Sequence, residues 1–282
     1  MELLLRIAAC ENFLACSRDP KLLHPCREVV DSQRVYFSPQ DPKFQPPEPW
    51  RGHLNLAPLL FISSNPSIAP PAVAGGDTYP NSPWTDSDRI DYFANSFGGG
   101  THEWIRDGVR HLLPDGSYGK PVAFWAAVKR RAEELYSRSV EPGTDYALTE
   151  VVHCKSLREI GVREAVNECT NRYLGPVLAL SPARVVVVLG VVAGSAVRRW
   201  LVENDRQSES SMQKCVEGPP TPSGLSRMFV FAPHPNAFKP KRLVNVLRAD
   251  ELALLREVLK QRDLTNAAPR KRHTSAITTD ST

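Results

Sequence analysis

The stretch "ARVVVVLG" (183–190) constrains the fold more than any other part of the chain. Four valines and a leucine follow one another without a polar break and end at Gly190. A strand with one solvent face alternates apolar and polar residues. An unbroken run belongs to a strand covered on both faces, as in the interior of a parallel sheet. Three more segments have strand character: "PLLFISS" (58–64), "YALTEVVHC" (146–154) and "RMFVFAP" (227–233). Helical patterns alternate with them. Residues 121–138 carry apolar Val122, Phe124, Trp125, Val128 and Leu135, and 163–180 and 191–204 read the same way. Residues 240–262 have Pro240 near the start, where a missing N–H is harmless. Such alternation predicts a three-layer α/β/α fold around a central four-stranded, mostly parallel sheet.

With 282 residues, 41% of them hydrophobic, the chain can build a full core. A net charge of +4 permits a nucleic-acid partner without requiring one. No apolar run approaches the ~18 residues of a membrane span. "MELLLRIAAC" contains Glu2 and reads as a first helix, not a secretory signal. Six cysteines are too few for a disulfide scaffold and point to a reducing cytoplasm. Proline clusters mark 38–50 and 66–84 as loops, because proline breaks both helices and ladders. Residues 203–224 are polar and read as an exposed insertion; 266–282 read as a disordered basic tail. The expectation is one α/β domain over residues 1–265, monomeric and without repeats.

In open parallel sheets ligands bind beyond the carboxyl ends of the strands. The first suspects are therefore residues 63–67, 150–154, 190 and 234–238. The last group is the most unusual. His234 stands between Pro233 and Pro235, with Asn236, Phe238, Lys239, Lys241 and Arg242 behind it. Read alone, this is either a rigid turn with Phe238 in the core, or a site.

Four of these segments, in order, resemble the uracil-DNA glycosylase superfamily, nearest its iron–sulfur branch. "FISSNPSI" (61–68) is similar to the first motif, an apolar strand ending in G-x-[D/N/E]-P. "LTEVVHCKS" (148–156) is similar to T-N-V-V-K-C-R, "ECTNRYLGPVLALSPARVVVVLGVVAGSAV" (168–197) to the C-x-x-x-L helix and following strand, and "PHPNAF" (233–238) to H-P-S-P-L. The resemblance spans about residues 58–245. It implies a monofunctional glycosylase that removes uracil from DNA in base excision repair, by base flipping and an oxocarbenium-like transition state.

The resemblance also assigns roles. Asn65 positions the water and His234 stabilises the departing base. Glu150, Ser64 and Tyr79 contact the base, with Trp84 and Phe93 as rival stacking rings. Phe238 is the wedge; Asn236, Lys239, Lys241, Arg242 and Ser67 reach phosphates. Cys154 and Cys169 match the two later cluster ligands, with Cys10 and Cys16 as the earlier pair of a structural 4Fe–4S cluster, no cofactor being needed for catalysis. The alternative for these thiols is an ordinary buried core. Three departures stand out. Ser63 replaces the usual glycine. Cys10, Cys16 and Cys26 are not spaced C-x-x-C. Glu150 replaces an asparagine. As a neutral acid Glu150 has both a donor and an acceptor for uracil; otherwise it selects another base or pairs with a protein cation. The alternatives are a glycosylase of the same fold for hypoxanthine or xanthine, and a non-catalytic binder of uracil or abasic DNA.

Overall fold

The computed structural model describes residues 1–38, 44–68, 84–205, 214–238 and 241–260. Three short helices open the chain: α1 (Glu2–Ala8), α2 (Glu11–Arg18) and α3 (Arg27–Asp31). β1 (Leu59–Ser63) is the first strand. α4 (Asp86–Ala94) starts with a capping box, Thr85 and Asp88 each accepting from the other's amide. A hairpin of β2 (Ile105–Arg106) and β3 (Arg110–His111) leads to α5 (Ala123–Tyr136). β4 (Tyr146–Glu150), α6 (Val162–Leu180), β5 (Val185–Leu189) and α7 (Val191–Asp205) follow. β6 (Cys215–Gly218), β7 (Arg227–Ala232) and α8 (Ala249–Lys260) complete the fold.

The main sheet has the order β4-β1-β5-β7-β6. The first four strands are parallel, and β6 runs antiparallel to β7. The fold is thus α/β as expected, but the sheet has five strands instead of four. The fifth lies inside the segment read as an exposed insertion. Its four residues, "CVEG", bury only Gly218, so no apolar alternation marks them. Short, half-exposed strands are usual at sheet edges. α4 was equally hidden, because its outer face is charged. The expected helix over 240–262 is shorter, Ala249–Lys260, and is preceded by a 3₁₀ turn at Leu243–Asn245.

Side-chain alternation divides the core in two. Leu60, Ile62, Ala147, Val186, Val188 and Phe229 cluster with α1, α3, α6 and α7. Leu59, Phe61, Tyr146, Leu148, Val187 and Val230 cluster with α5 and α8. β5 is buried at all five residues because it feeds both halves, each of its side chains contributing about 1.5–3 kcal/mol. Arg227, at the foot of β7, is buried and closes the far end of the sheet. It donates to the carbonyls of Leu178 (3.0 Å), Ser181 (2.6 Å) and Ala183 (2.8 Å), which caps the end of α6. Burial lowers its pKa to about 10, so it keeps its charge at neutral pH. Among the described residues no helix is long and apolar enough to cross a membrane.

Gly161 starts α6 with φ 72°, and a Cβ there would run into the backbone of Glu28 and Val29 in α3. Gly161→Ala is expected to cost at least about 2 kcal/mol, combining left-handed strain with a backbone collision. A urea midpoint equal to that of the wild type would contradict this packing of α3 on α6.

Candidate active site at the carboxyl ends of the sheet

Parallel register builds the site. Ser63 pairs with Glu150, Ile62 with Val188, and Leu189 with Ala232, so Glu150, Ser63, Leu189 and Ala232 form one row across the sheet. The chain segments that leave this row are the four marked by the sequence.

Beyond the row, the segments after β1 and β4 stay laced together. Val151 and Val152 donate to the carbonyls of Ser63 and Ser64 at 3.0 Å, and Ser156 donates to the Pro66 carbonyl at 3.1 Å. Asn65 is fixed within this lacing. Its Nδ2 donates to the Pro66 carbonyl at 2.9 Å and to Ser156 Oγ at 3.0 Å. Both amide hydrogens are therefore engaged. Among the described residues no donor reaches Oδ1, which is left to accept from a water. Ser64 is buried and its hydroxyl donates to the Glu159 carboxylate. Ser67 is exposed.

His234 leaves β7 in a tight turn. Its carbonyl accepts from Ala237 at 2.9 Å, and its Nδ1 accepts from the Asn236 amide at 3.2 Å. A ring whose Nδ1 accepts is neutral and carries its proton on Nε2. Burial lowers the pKa, and Arg131 lowers it further against the opposing effect of Glu159. The ring stacks on Phe124 in the first turn of α5, with centroids 5.4 Å apart and planes at 17°. Gly190 closes the other side: it has φ 91°, and a Cβ there would stand 3.2 Å from His234 Cβ. His234 is thus a rigid neutral imidazole with one N–H to offer.

Glu150 is buried, and its Oε2 has no hydrogen-bond partner among the described residues. Nearby, Arg51 donates through Nε and Nη2 to the buried Glu48 carboxylate, Nη2 at 2.8 Å. The guanidinium lies 5.2 Å from the ring centroids of Tyr92 and Trp125. Burial works to raise the Glu48 pKa, but Arg51 and Lys155 hold it below the ordinary range. Burial pushes Glu150 well above that range, and the Glu48 charge adds to the push. The two shifts run in opposite directions: Arg51 favours the charged form of Glu48, and burial favours the neutral form of Glu150.

Phe238 is fully exposed, so it is not a core residue, and Asn236 beside it is exposed too. Lys241 is exposed and makes no ion pair among the described residues. Arg242 pairs with Glu134 at 2.7 Å, and Arg131 and Glu134 bind the backbone at Lys241 and Leu243, docking this segment on α5. Tyr79 and Lys239 lie outside the described residues. Of the rival rings, Phe93 is buried, and Trp84 packs on Tyr92 and Trp104 with centroids 5.5 and 5.4 Å away.

Five of the six cysteines gather on the opposite side of the sheet, and Cys215 packs with the other half of the core. Cys10, Cys26, Cys154 and Cys169 line one small, partly open cavity, whereas Cys16 is buried outside its lining. Burial raises the Cys26 pKa to about 12 and the Cys154 and Cys169 pKa values as well, with neighbouring thiols adding to each. The His153 amide donates to Cys169 Sγ at 3.4 Å. Among the described residues no three or more His, Cys, Asp or Glu side chains are arranged to hold a single metal ion.

Sequence reasoning missed Glu48, Arg51, Phe124 and Glu159. None of them belongs to a strand end, and each joins the site across a large sequence separation. Neither a scan against models of known protein families nor a search of curated proteins returns a match for this chain.

The protonation of Glu150 has a consequence for stability. An acid with a raised folded-state pKa contributes fully below the ordinary glutamate range, and the contribution is lost as pH rises through the folded pKa. Glu150→Gln cannot ionise. Its urea midpoint is expected to gain on the wild type as pH is raised above the ordinary glutamate range, because the folded-state pKa of Glu150 is raised. A constant difference between the two proteins would mean that Glu150 ionises normally.

Proposed function

We propose that this chain is a monofunctional DNA glycosylase that hydrolyses the N-glycosidic bond of uracil in DNA. The observation that carries the reading is the common row of strand ends from which the Asn65, Glu150 and His234 segments emerge. In this reading the target nucleotide is flipped out of the stack. Phe238 fills the gap, and Lys241, joined by Lys239 of the same segment, meets the phosphates. Neutral Glu150 presents its O–H to uracil O4 and its carbonyl oxygen to N3–H. The C1′–N1 bond breaks with its electron pair going to the base. The His234 Nε2–H hydrogen-bonds to O2, where the charge collects. A donor already aimed and held by Phe124 and Gly190 needs no reorganisation at that moment. Water on Asn65 Oδ1 then adds to C1′. An ionised Glu150 would repel the departing anion, so its burial is part of the reading.

The same Glu150 favours a second reading. Hypoxanthine offers the same carbonyl-beside-N–H edge at O6 and N1, so a neutral acid fits it equally well, and xanthine shares that edge.

Cys10, Cys26, Cys154 and Cys169 fit a structural 4Fe–4S cluster. Four thiols from separate segments around one cavity, not converged on a point, suit a cluster in which each binds a different iron. Bound iron would deprotonate thiols that burial otherwise keeps neutral, and would tie the first helices to α6. Anaerobically prepared protein is expected to carry iron and to show broad thiolate-to-iron absorption, lost in Cys26→Ser and kept in Cys16→Ser. Colourless, iron-free, fully active protein would remove the cluster.

For the catalytic roles, His234→Ala is expected to bind uracil-containing DNA and to cleave it about 100-fold more slowly in a single turnover, the scale of one preorganised donor. Cleavage at the wild-type rate would take His234 out of the mechanism. Phe238→Ala should lose more activity on duplex than on single strands, because only the duplex has a stack to fill. Equal losses would assign Phe238 a structural role.

A further inference from the structure

Glu159 belongs to no motif, yet the fold spends backbone strain on it. Arg158 and Glu159 both have left-handed backbones, φ 52° and 60°, with no glycine to make that conformation easy. Conformations of this kind persist only where the surroundings impose them, and they gather at functional sites. The turn is held on both sides: Ile160 donates to the Leu157 carbonyl at 3.1 Å and Val162 to the Glu159 carbonyl at 3.2 Å. Its effect is to bring an exposed glutamate back over the strand ends, where its carboxylate accepts from the buried Ser64 hydroxyl, 95 residues away in sequence.

Ser64 adjoins Asn65, whose Oδ1 is the open acceptor for the attacking water. Glu159 also lies close enough to His234 for its charge to favour the protonated imidazole. The carboxylate is therefore bonded to the residue next to Asn65 and within electrostatic reach of His234. An asparagine can orient a water but cannot take its proton.

On the glycosylase reading above, the geometry points to Glu159 as a further catalytic residue, the base that receives the proton of the attacking water. The water oxygen forms the bond to C1′ after the C1′–N1 bond has broken. One water proton passes to the Glu159 carboxylate, and the electron pair of the broken bond leaves with the base, held by the His234 N–H. The base anion takes a proton from solvent after release, and Glu159 returns its own.

Three variants test this. Gln keeps an acceptor for Ser64 but cannot accept a proton, so a merely structural Glu159 would tolerate it. Glu159→Gln is expected to lose about 100-fold in single-turnover release of uracil, within the range of general-base catalysis, with binding of uracil-containing DNA retained. Glu159→Gly removes the carboxylate and also relieves the left-handed strain. It is expected to unfold at higher urea than the wild type while being equally impaired, and added formate should restore part of its rate. Glu159→Asp should retain part of the rate without formate. Wild-type cleavage by Glu159→Gln, or a Glu159→Gly protein indifferent to formate, overturns the proposal and leaves the glycosylase reading intact. A wild-type protein that releases no base overturns both.

Discussion

Ser63 opposite Glu150 and Leu189 opposite Ala232 bring four strand ends into line, and the chemistry of the site follows from that register. Side chains alternate along a strand, so a slip of one residue in β4 would carry Glu150 to the other face of the sheet. In the observed register Glu150 shares the face of Tyr146 and Leu148, which pack towards α5. The first turn of α5 supplies Phe124 against His234 and Trp125 over Arg51. One helical turn thus touches both His234 and the cation beside Glu150. Register is pinned by β5, whose five buried residues feed both halves of the core and would expose neither face cheaply.

Electrostatics gives the row its second property. Two buried carboxyls, Glu48 and Glu150, lie within the influence of Arg51, and Arg51 forms its bidentate bond with Glu48. Breaking a buried pair by removing one partner typically costs 3–5 kcal/mol, because a desolvated charge is left alone. That asymmetry commits Arg51 to Glu48 and favours the neutral form of Glu150. His234 is neutral for a related reason: burial opposes its charge, and an Asn236 amide occupies Nδ1. Glu150 and His234 thus each offer a donor without bringing a negative charge of their own, while the Glu159 carboxylate stands apart on the Ser64 hydroxyl. On the proposed reading, that pair of donors suits a leaving group that departs as an anion.

The chain order of strands and helices was legible because apolar runs report burial directly. The placement of Asn65, Glu150 and His234 at or just beyond strand ends was legible because each closely follows an apolar run. Other features left no local trace. β6 buries a single residue, and α4 hides behind its charged face. Cys26, not Cys16, joins the cavity of Cys10, Cys154 and Cys169, and spacing along a chain does not say which thiol a turn will point inward. Glu48 and Arg51 meet Glu150 only because Arg51 itself bridges to Leu148 within β4. Glu159 reaches Ser64 only through two left-handed residues, a backbone choice that the letters "LREIG" do not disclose. Sequence reasoning found what lies on the strands and missed what folds over them.

The central claim is that the row of strand ends forms a pocket that removes a flipped, deaminated base. It is tested most directly by incubating the wild-type protein with oligonucleotides that each carry one uracil, hypoxanthine or xanthine, and identifying the base released in a single turnover. The account predicts free uracil and an intact abasic strand, without strand cleavage, because no lysine nucleophile takes part. Release of hypoxanthine or xanthine in place of uracil would keep the mechanism and reassign the Glu150 contact. Binding of these oligonucleotides with no base released from any of them would contradict the account and leave a protein that recognises damaged DNA without acting on it.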